Sequence, residues 1–84
     1  MKTVTICYFA SIREVLGTGS ESLQTAAETV GALREELMGR SAAAANALAA
    51  GKAVRMALNQ DMCALDAAIQ NGDEVAFFPP VTGG

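Results

Sequence analysis

At 84 residues the chain has room for one domain and a thin core, since a chain this short buries only roughly 60% of the surface its unfolded form exposes. Hydrophobic residues at 51% against 18% charged exclude a disordered composition, and a net charge of −3 with singly scattered Lys and Arg excludes the basic footprint of a nucleic-acid binder. No apolar run approaches the roughly 18 residues that cross a bilayer, and Ser11, Arg13 and Glu14 interrupt any signal-peptide core, so a reduced, cytoplasmic protein without a membrane partner is expected.

Thr3 to Phe9 alternates, with Val4, Ile6 and Tyr8 pointing one way and Thr3, Thr5 and Cys7 the other. That period of two over β-branched residues predicts a half-buried strand. Ile12, Val15 and Leu16 fall at helical spacing and Gly17 stops them, which predicts a short helix over Ser11 to Leu16, then loop at Thr18-Gly19-Ser20. Glu21 to Thr25, with Leu23 between polar neighbours, reads as a short second strand. Val30, Leu33 and Leu37 recur at i, i+3 and i+7 beside Arg34, Glu35 and Glu36, the pattern of an amphipathic main helix. Thr29 is its expected N-cap, and Gly39 its expected close.

Ser41 to Ala50 is alanine-rich and predicts a short helix or helical extension. After a break at Gly51-Lys52, Ala53 to Asn59 alternates again, with Val54, Met56 and Leu58 on one face and Arg55 on the other. Asn59-Gln60-Asp61 reads as a turn. Leu65, Ala68 and Ile69 suggest a short apolar-faced helical segment, closed by Asn71-Gly72-Asp73. Glu74 to Phe78 forms a last strand, which Pro79-Pro80 ends because proline cannot donate to a ladder. The order predicts an α+β roll, a mixed sheet wrapped over one main helix in a domain of residues 1–80, with residues 81–84 as a flexible tail.

Catalytic side chains are scarce. There is no histidine, which removes imidazole acid–base work and histidine metal ligation, and no metal site is expected. Cys7 and Cys63 lack zinc spacing; Cys7 reads as a small strand hydrophobe, and Cys63 as a loop residue open to solvent with no basic neighbour to activate it. Glu35 and Glu36 are adjacent on a helix, diverge by about 100°, and cannot share one substrate. Gly17 and Gly19 follow a helix rather than a strand and make a poor phosphate cradle. The domain has no active site of its own.

The C-terminus is different. Two prolines favour extended geometry, Val81-Thr82 follow, and Gly83-Gly84 end the chain. Four extended residues beyond Pro80 reach roughly 13–14 Å, and glycines without a Cβ can thread a channel too narrow for other residues. The tip carries a carboxylate, with a pKa near 3.5, that is unreactive at neutral pH until activated, for instance as a mixed anhydride with AMP.

Asp73 to Gly84 reads DEVAFFPPVTGG and closely resembles the C-terminus of molybdopterin synthase small subunits. YFASIREVLGT from Tyr8 to Thr18, the helix stretch TVGALREEL and the strand VRMALNQ resemble the same family, so the resemblance spans nearly the whole chain. It implies a β-grasp, ubiquitin-like fold. It implies that Gly84 is adenylated with ATP by a separate E1-like adenylyltransferase and converted to a thiocarboxylate. The arm of Val81, Thr82 and Gly83 then enters the synthase large subunit, where sulfur passes to cyclic pyranopterin monophosphate to build the molybdopterin dithiolene. It further implies a heterotetramer with the large subunit and no cofactor bound by this chain, ATP being used by the activating partner.

Phe77 and Phe78 are consecutive in a strand and point to opposite faces. One can enter the core, leaving the other beside Pro79, Pro80 and Val81 as a docking patch, and a structural role for both stands equally open. By the resemblance, Arg13 is a candidate polar contact to a partner enzyme. Three other readings remain: a carrier of the same type for thiamine or transfer-RNA thiolation, a ubiquitin-like modifier joined to lysines, and a binding module indifferent to its tail.

Overall fold

The computed structural model describes residues 1–49 and 53–80. The expected break at Gly51-Lys52, the end of the alanine-rich stretch at Ala50 and the arm Val81 to Gly84 lie outside them. The chain runs β1 (Lys2–Tyr8), α1 (Ala10–Leu16), β2 (Ser20–Thr25), α2 (Val30–Met38), α3 (Ala42–Ala47), β3 (Arg55–Leu58), β4 (Asp61–Cys63) and β5 (Glu74–Phe78). The five strands form one sheet in the order β2-β1-β5-β3-β4. β1 pairs parallel with β5 and antiparallel with β2, while β3 pairs antiparallel with both β5 and β4. A mixed sheet whose first and last strands lie side by side beneath a helix is the β-grasp roll that the resemblance implies.

Alternation sets the core. Val4, Ile6 and Tyr8 of β1 face the helices with Val75 and Phe77 of β5 and Met56 of β3, and they meet Val30, Leu33 and Leu37 of α2. Ile12, Ala47, Leu48 and Ile69 complete the same cluster, with Leu23, Leu58 and Cys63 packed against its margin. The register of one strand decides all of this, because a slip of one residue would turn every core side chain outward.

One cap on each of the first two helices follows from local chemistry. Thr29 Oγ1 accepts from the Ala32 N–H at 3.1 Å and so satisfies one of the orphan donors of α2. Gly17 takes φ 75 beyond α1 and donates its N–H to the Arg13 carbonyl, a left-handed stop that costs glycine little.

The structure departs from expectation in four places. Residues 61–63 form a fifth strand, β4, behind a two-residue turn in which Asn59 and Gln60 hold φ 50 and 72. Cys63 is therefore a half-buried strand residue opposite Met56, not an open loop residue. The segment from Leu65 to Ile69 is not helical. Its backbone is used instead to cap α2, with Ala67 and Leu65 carbonyls accepting from the N–H groups of Val30 and Gly31 at 3.0 and 2.8 Å. Gly39 closes α2 as expected, in right-handed geometry with φ −77.

The fourth departure is Arg34, which does not share the exposed face of Glu35 and Glu36 but is only 8% exposed. Its Nε and Nη2 donate to the carbonyls of Leu48 and Ala49 at 2.7 and 2.9 Å, just past the end of α3. A cation there satisfies orphan carbonyls and favours the negative end of the helix dipole, and it ties α3 to α2.

Candidate functional site

The root of the arm is built on the middle of the sheet. β5 is flanked by β1 and β3, so both sides of its backbone are held, and Phe9 N–H donates to the Phe77 carbonyl at 3.2 Å as a further tie at its C-terminal end. Pro79 and Pro80 follow, half-buried, beside a mainly apolar hollow of about 170 Å³ that they share with Ser11, Ile12 and Val15 of α1, Ala47 of α3, and Ala53 and Val54. The arm's first described residues are thus fixed to a rigid element, the arrangement that precise presentation of a tip requires. Val81, Thr82, Gly83 and Gly84 lie outside the described residues.

The two phenylalanines divide as strand geometry demands. Phe77 is fully buried beneath α2 with its ring stacked on Tyr8, centroids 6.4 Å apart. Phe78 is half-buried on the opposite face, where Phe9 meets it edge-on at 6.5 Å. The described helices pack on the other face, through Ile12, Val30, Leu33, Leu37 and Ala47. The register of the Phe78 face gives Thr3, Thr5 and Cys7 from β1, Ser20, Ser22 and Gln24 from β2, Glu74, Ala76 and Phe78 from β5, Arg55 and Ala57 from β3, and Met62 from β4.

This face is polar at one side and apolar at the other. Hydroxyl and amide side chains occupy β2 and the start of β1, whereas Cys7, Ala76, Ala57 and Met62 form a row across the other strands in which the two alanines are buried between larger neighbours and Met62 is exposed, with Phe78 and Phe9 beside it. Phe9 is 49% exposed and Met62 61% exposed, large apolar groups offered to water in a small domain. Sequence reasoning did not single out either. Phe9 was within reach, since its odd position places it with Cys7; Met62 was not, because β4 was read as loop.

Arg13 is exposed on α1 and lies across the loop after it, where a β-carbon on Gly19 would come within 3.2 Å of its Nε. The loop glycine therefore serves close approach of a side chain, not a phosphate. Gly19 precedes the edge strand β2, and β1 stands between β2 and the β5 of Phe78, so Arg13 and Phe78 belong to different parts of the sheet's width.

Tyr8, Glu21 and Arg40 are occupied structurally. Tyr8 donates its hydroxyl to Glu21 Oε2 at 2.7 Å, and Glu21 Oε1 pairs with Arg40 at 2.9 Å across a cleft of about 350 Å³ also lined by Leu16 and Leu37. Burial, then the Glu21 carboxylate, push the Tyr8 phenol well above its ordinary range. Burial also raises the thiols of Cys7 and Cys63, with Glu74 adding to the effect at Cys7, so neither is an activated nucleophile. Both cysteines are free, and β5 and β3 stand between their strands. Among the described residues no cluster of His, Cys, Asp or Glu could hold a metal ion, and no helix is long and apolar enough to cross a membrane.

With no reactive constellation among the described residues, the geometry supports presentation: a strand held on both sides that leads to Pro79-Pro80, with an apolar patch beside it. The comparisons agree. The chain is 43% identical over 79 residues to the molybdopterin synthase sulfur carrier subunit of Haemophilus influenzae, covering 94% of this chain and 96% of the relative. It is 42% identical over 81 residues to the protein of the same description from Escherichia coli, covering 96% and 99%. Among solved structures, SAMP1 from Haloferax volcanii superposes with a TM-score of 0.76 at 29% identity, covering 98% of this chain and 99% of that one. SAMP1 from Methanosarcina acetivorans gives 0.79 at 23% identity over 100% and 98%, a likeness of fold. The ThiS family model matches residues 6–84, and the chain belongs to the ThiS family.

Proposed function

We propose that this chain is the sulfur carrier subunit of a molybdopterin synthase, acting through the carboxylate of Gly84. The observation that carries the reading is near-full-length identity of 42–43% with two proteins of that description. The partner implied is the synthase large subunit.

The chemistry needs three steps. A Gly84 carboxylate oxygen attacks the α-phosphorus of ATP on an E1-like adenylyltransferase, releasing pyrophosphate and leaving an acyl adenylate. A sulfur donor then displaces AMP, giving a thiocarboxylate, which is anionic at neutral pH and a better nucleophile than the carboxylate. In the large subunit its sulfur displaces an oxygen substituent from a carbon of cyclic pyranopterin monophosphate, breaking that C–O bond, and hydrolysis of the resulting thioester leaves the thiol on the product and returns the free carboxylate. Two sulfurs make one dithiolene, so two charged carriers are consumed per product. This chain supplies position and cargo, and acid–base groups come from the partner, in keeping with the absence of histidine. A heterotetramer of two small and two large subunits in the cytoplasm, with Phe78, Pro79 and Pro80 at the contact and Val81 to Gly83 threading the large subunit, completes the reading.

Deleting Gly84 tests it. The truncated protein should fold as before, since Gly84 has no side chain to lose, and should form no molybdopterin with the large subunit and activating enzyme. Synthesis at the ordinary rate by a well-folded truncation would refute the proposal.

A second reading has an observation in its favour: two structures titled as small archaeal modifier protein 1 or SAMP1 from Haloferax volcanii match at 27–29% identity over nearly the whole chain. Isopeptides between Gly84 and lysines of other proteins, isolated from cells, would support a modifier role.

A further inference from the structure

The open face of the sheet carries a single cation among the described residues, Arg55, placed directly opposite Phe78 in the β3–β5 ladder. Its side chain is exposed, and no described carboxylate pairs with it; the one ion pair among the described residues, Arg40 with Glu21, lies on the helix side of the sheet. The acid of the same face, Glu74, begins β5 and stands four residues from Phe78, about 13 Å along the strand and beyond the screening distance of physiological salt. Arg55 therefore borders the apolar patch, beside the last strand residue, with no ion-pair partner among the described residues.

An apolar patch attracts without direction, and a small row such as Cys7, Ala76 and Ala57 offers no feature to prevent a partner from sliding. An arm that must place one carboxyl carbon in a distant pocket cannot tolerate that freedom. A guanidinium beside the last strand residue removes it, because its planar fork holds a carboxylate in two parallel hydrogen bonds. The rest of the chain is acidic, net −3, so a partner's carboxylate finds attraction at this point of the face and repulsion over most of the surface.

We propose that Arg55 is the specificity contact that sets the register of docking, taking an Asp or Glu that the large subunit presents beside the recess for Phe9 and Phe78. This rests on the carrier reading above. Arg13 lies by Gly19, before the edge strand β2, and β1 and β5 stand between β2 and the β3 of Arg55.

The test is the association rate of the full-length protein with its cognate large subunit, measured across a range of salt. Arg55→Gln should weaken binding about two- to fivefold and flatten its salt dependence, and Arg55→Glu should weaken it about tenfold or more. Lys2→Gln removes the same charge at the far end of β1 and should change neither. An acid-to-arginine substitution in the large subunit should restore binding to Arg55→Glu and to no other variant. Wild-type rates and salt slope for Arg55→Glu, or equal losses for Lys2→Gln, overturn the proposal. So does an Arg55-dependent self-association of this chain in sedimentation. Failure of the wild-type protein to bind the large subunit at all would overturn instead the carrier reading on which it rests.

Discussion

Truncating two neighbouring phenylalanines should have opposite consequences. Phe77 is fully buried, stacked on Tyr8 and surrounded by the α2 residues of the core, so Phe77→Ala removes a ring and leaves a cavity, at a cost of about 3–5 kcal/mol. A domain of 84 residues has a total stability of about 4–13 kcal/mol, so the loss takes a large share of it. The melting temperature should fall by roughly 12 °C or more, given about 4–8 °C for each kcal/mol. Phe78 is half-buried and rests edge-on against Phe9 on the face opposite the described helices, so Phe78→Ala gives up about 1 kcal/mol of burial and melts only slightly lower. Its loss should appear in binding: an aromatic anchor at an interface centre is worth about 2 kcal/mol or more, near 30-fold in affinity for the large subunit. Thermal unfolding by circular dichroism and calorimetric titration on the same samples separate the two. Equal destabilisation by both variants, or wild-type affinity for Phe78→Ala, would refute the assignment of faces to roles.

Other expectations follow from single contacts. Arg34→Ala should cost about 2–4 kcal/mol in urea unfolding, because it strands the carbonyls of Leu48 and Ala49 and leaves a gap between α2 and α3; unchanged stability would show that clamp to be idle. Asp73 accepts from Asn59 Nδ2 at 3.0 Å and from the Gln70 N–H at 2.8 Å, and these bonds hold its carboxyl below the ordinary 3.8. A carboxyl depressed by folding adds stability above its unfolded pKa and loses it as pH falls through the folded one. The advantage of the wild type over Asp73→Asn should therefore be constant from neutral pH to about 3.8 and shrink below that; an advantage that persists at about pH 2 would contradict the assignment.

Much of this fold was legible because its strongest elements obey one period each. The alternation of Val4, Ile6 and Tyr8, and the i, i+3, i+7 spacing of Val30, Leu33 and Leu37, state directly which face is buried. β4 was hidden by its length, three residues behind a turn that only the positive φ of Asn59 and Gln60 defines. The stretch from Leu65 to Ile69 misled because Ile69 is a core residue at helical spacing, while its neighbours' carbonyls are committed to the start of α2, a tertiary use that leaves no periodic mark. Arg34 was misread for a related reason: a charged residue on an amphipathic helix is usually solvated, and the carbonyls that justify burying it come from another element. The arm was the most readable part of the site, from Pro79-Pro80 and the terminal glycines, whereas the patch that accompanies it needed the register of four strands to bring Phe9, Phe78, Ala57 and Met62 onto one side.

The central claim is that sulfur travels on the last carbon of this polypeptide. Intact-mass measurement of untagged protein, coexpressed with an activating enzyme and a sulfur donor, tests it most directly. The account predicts a gain equal to the exchange of one oxygen for sulfur, localised by fragmentation to Gly84. An unmodified C-terminus, under conditions that charge a control carrier, would contradict it.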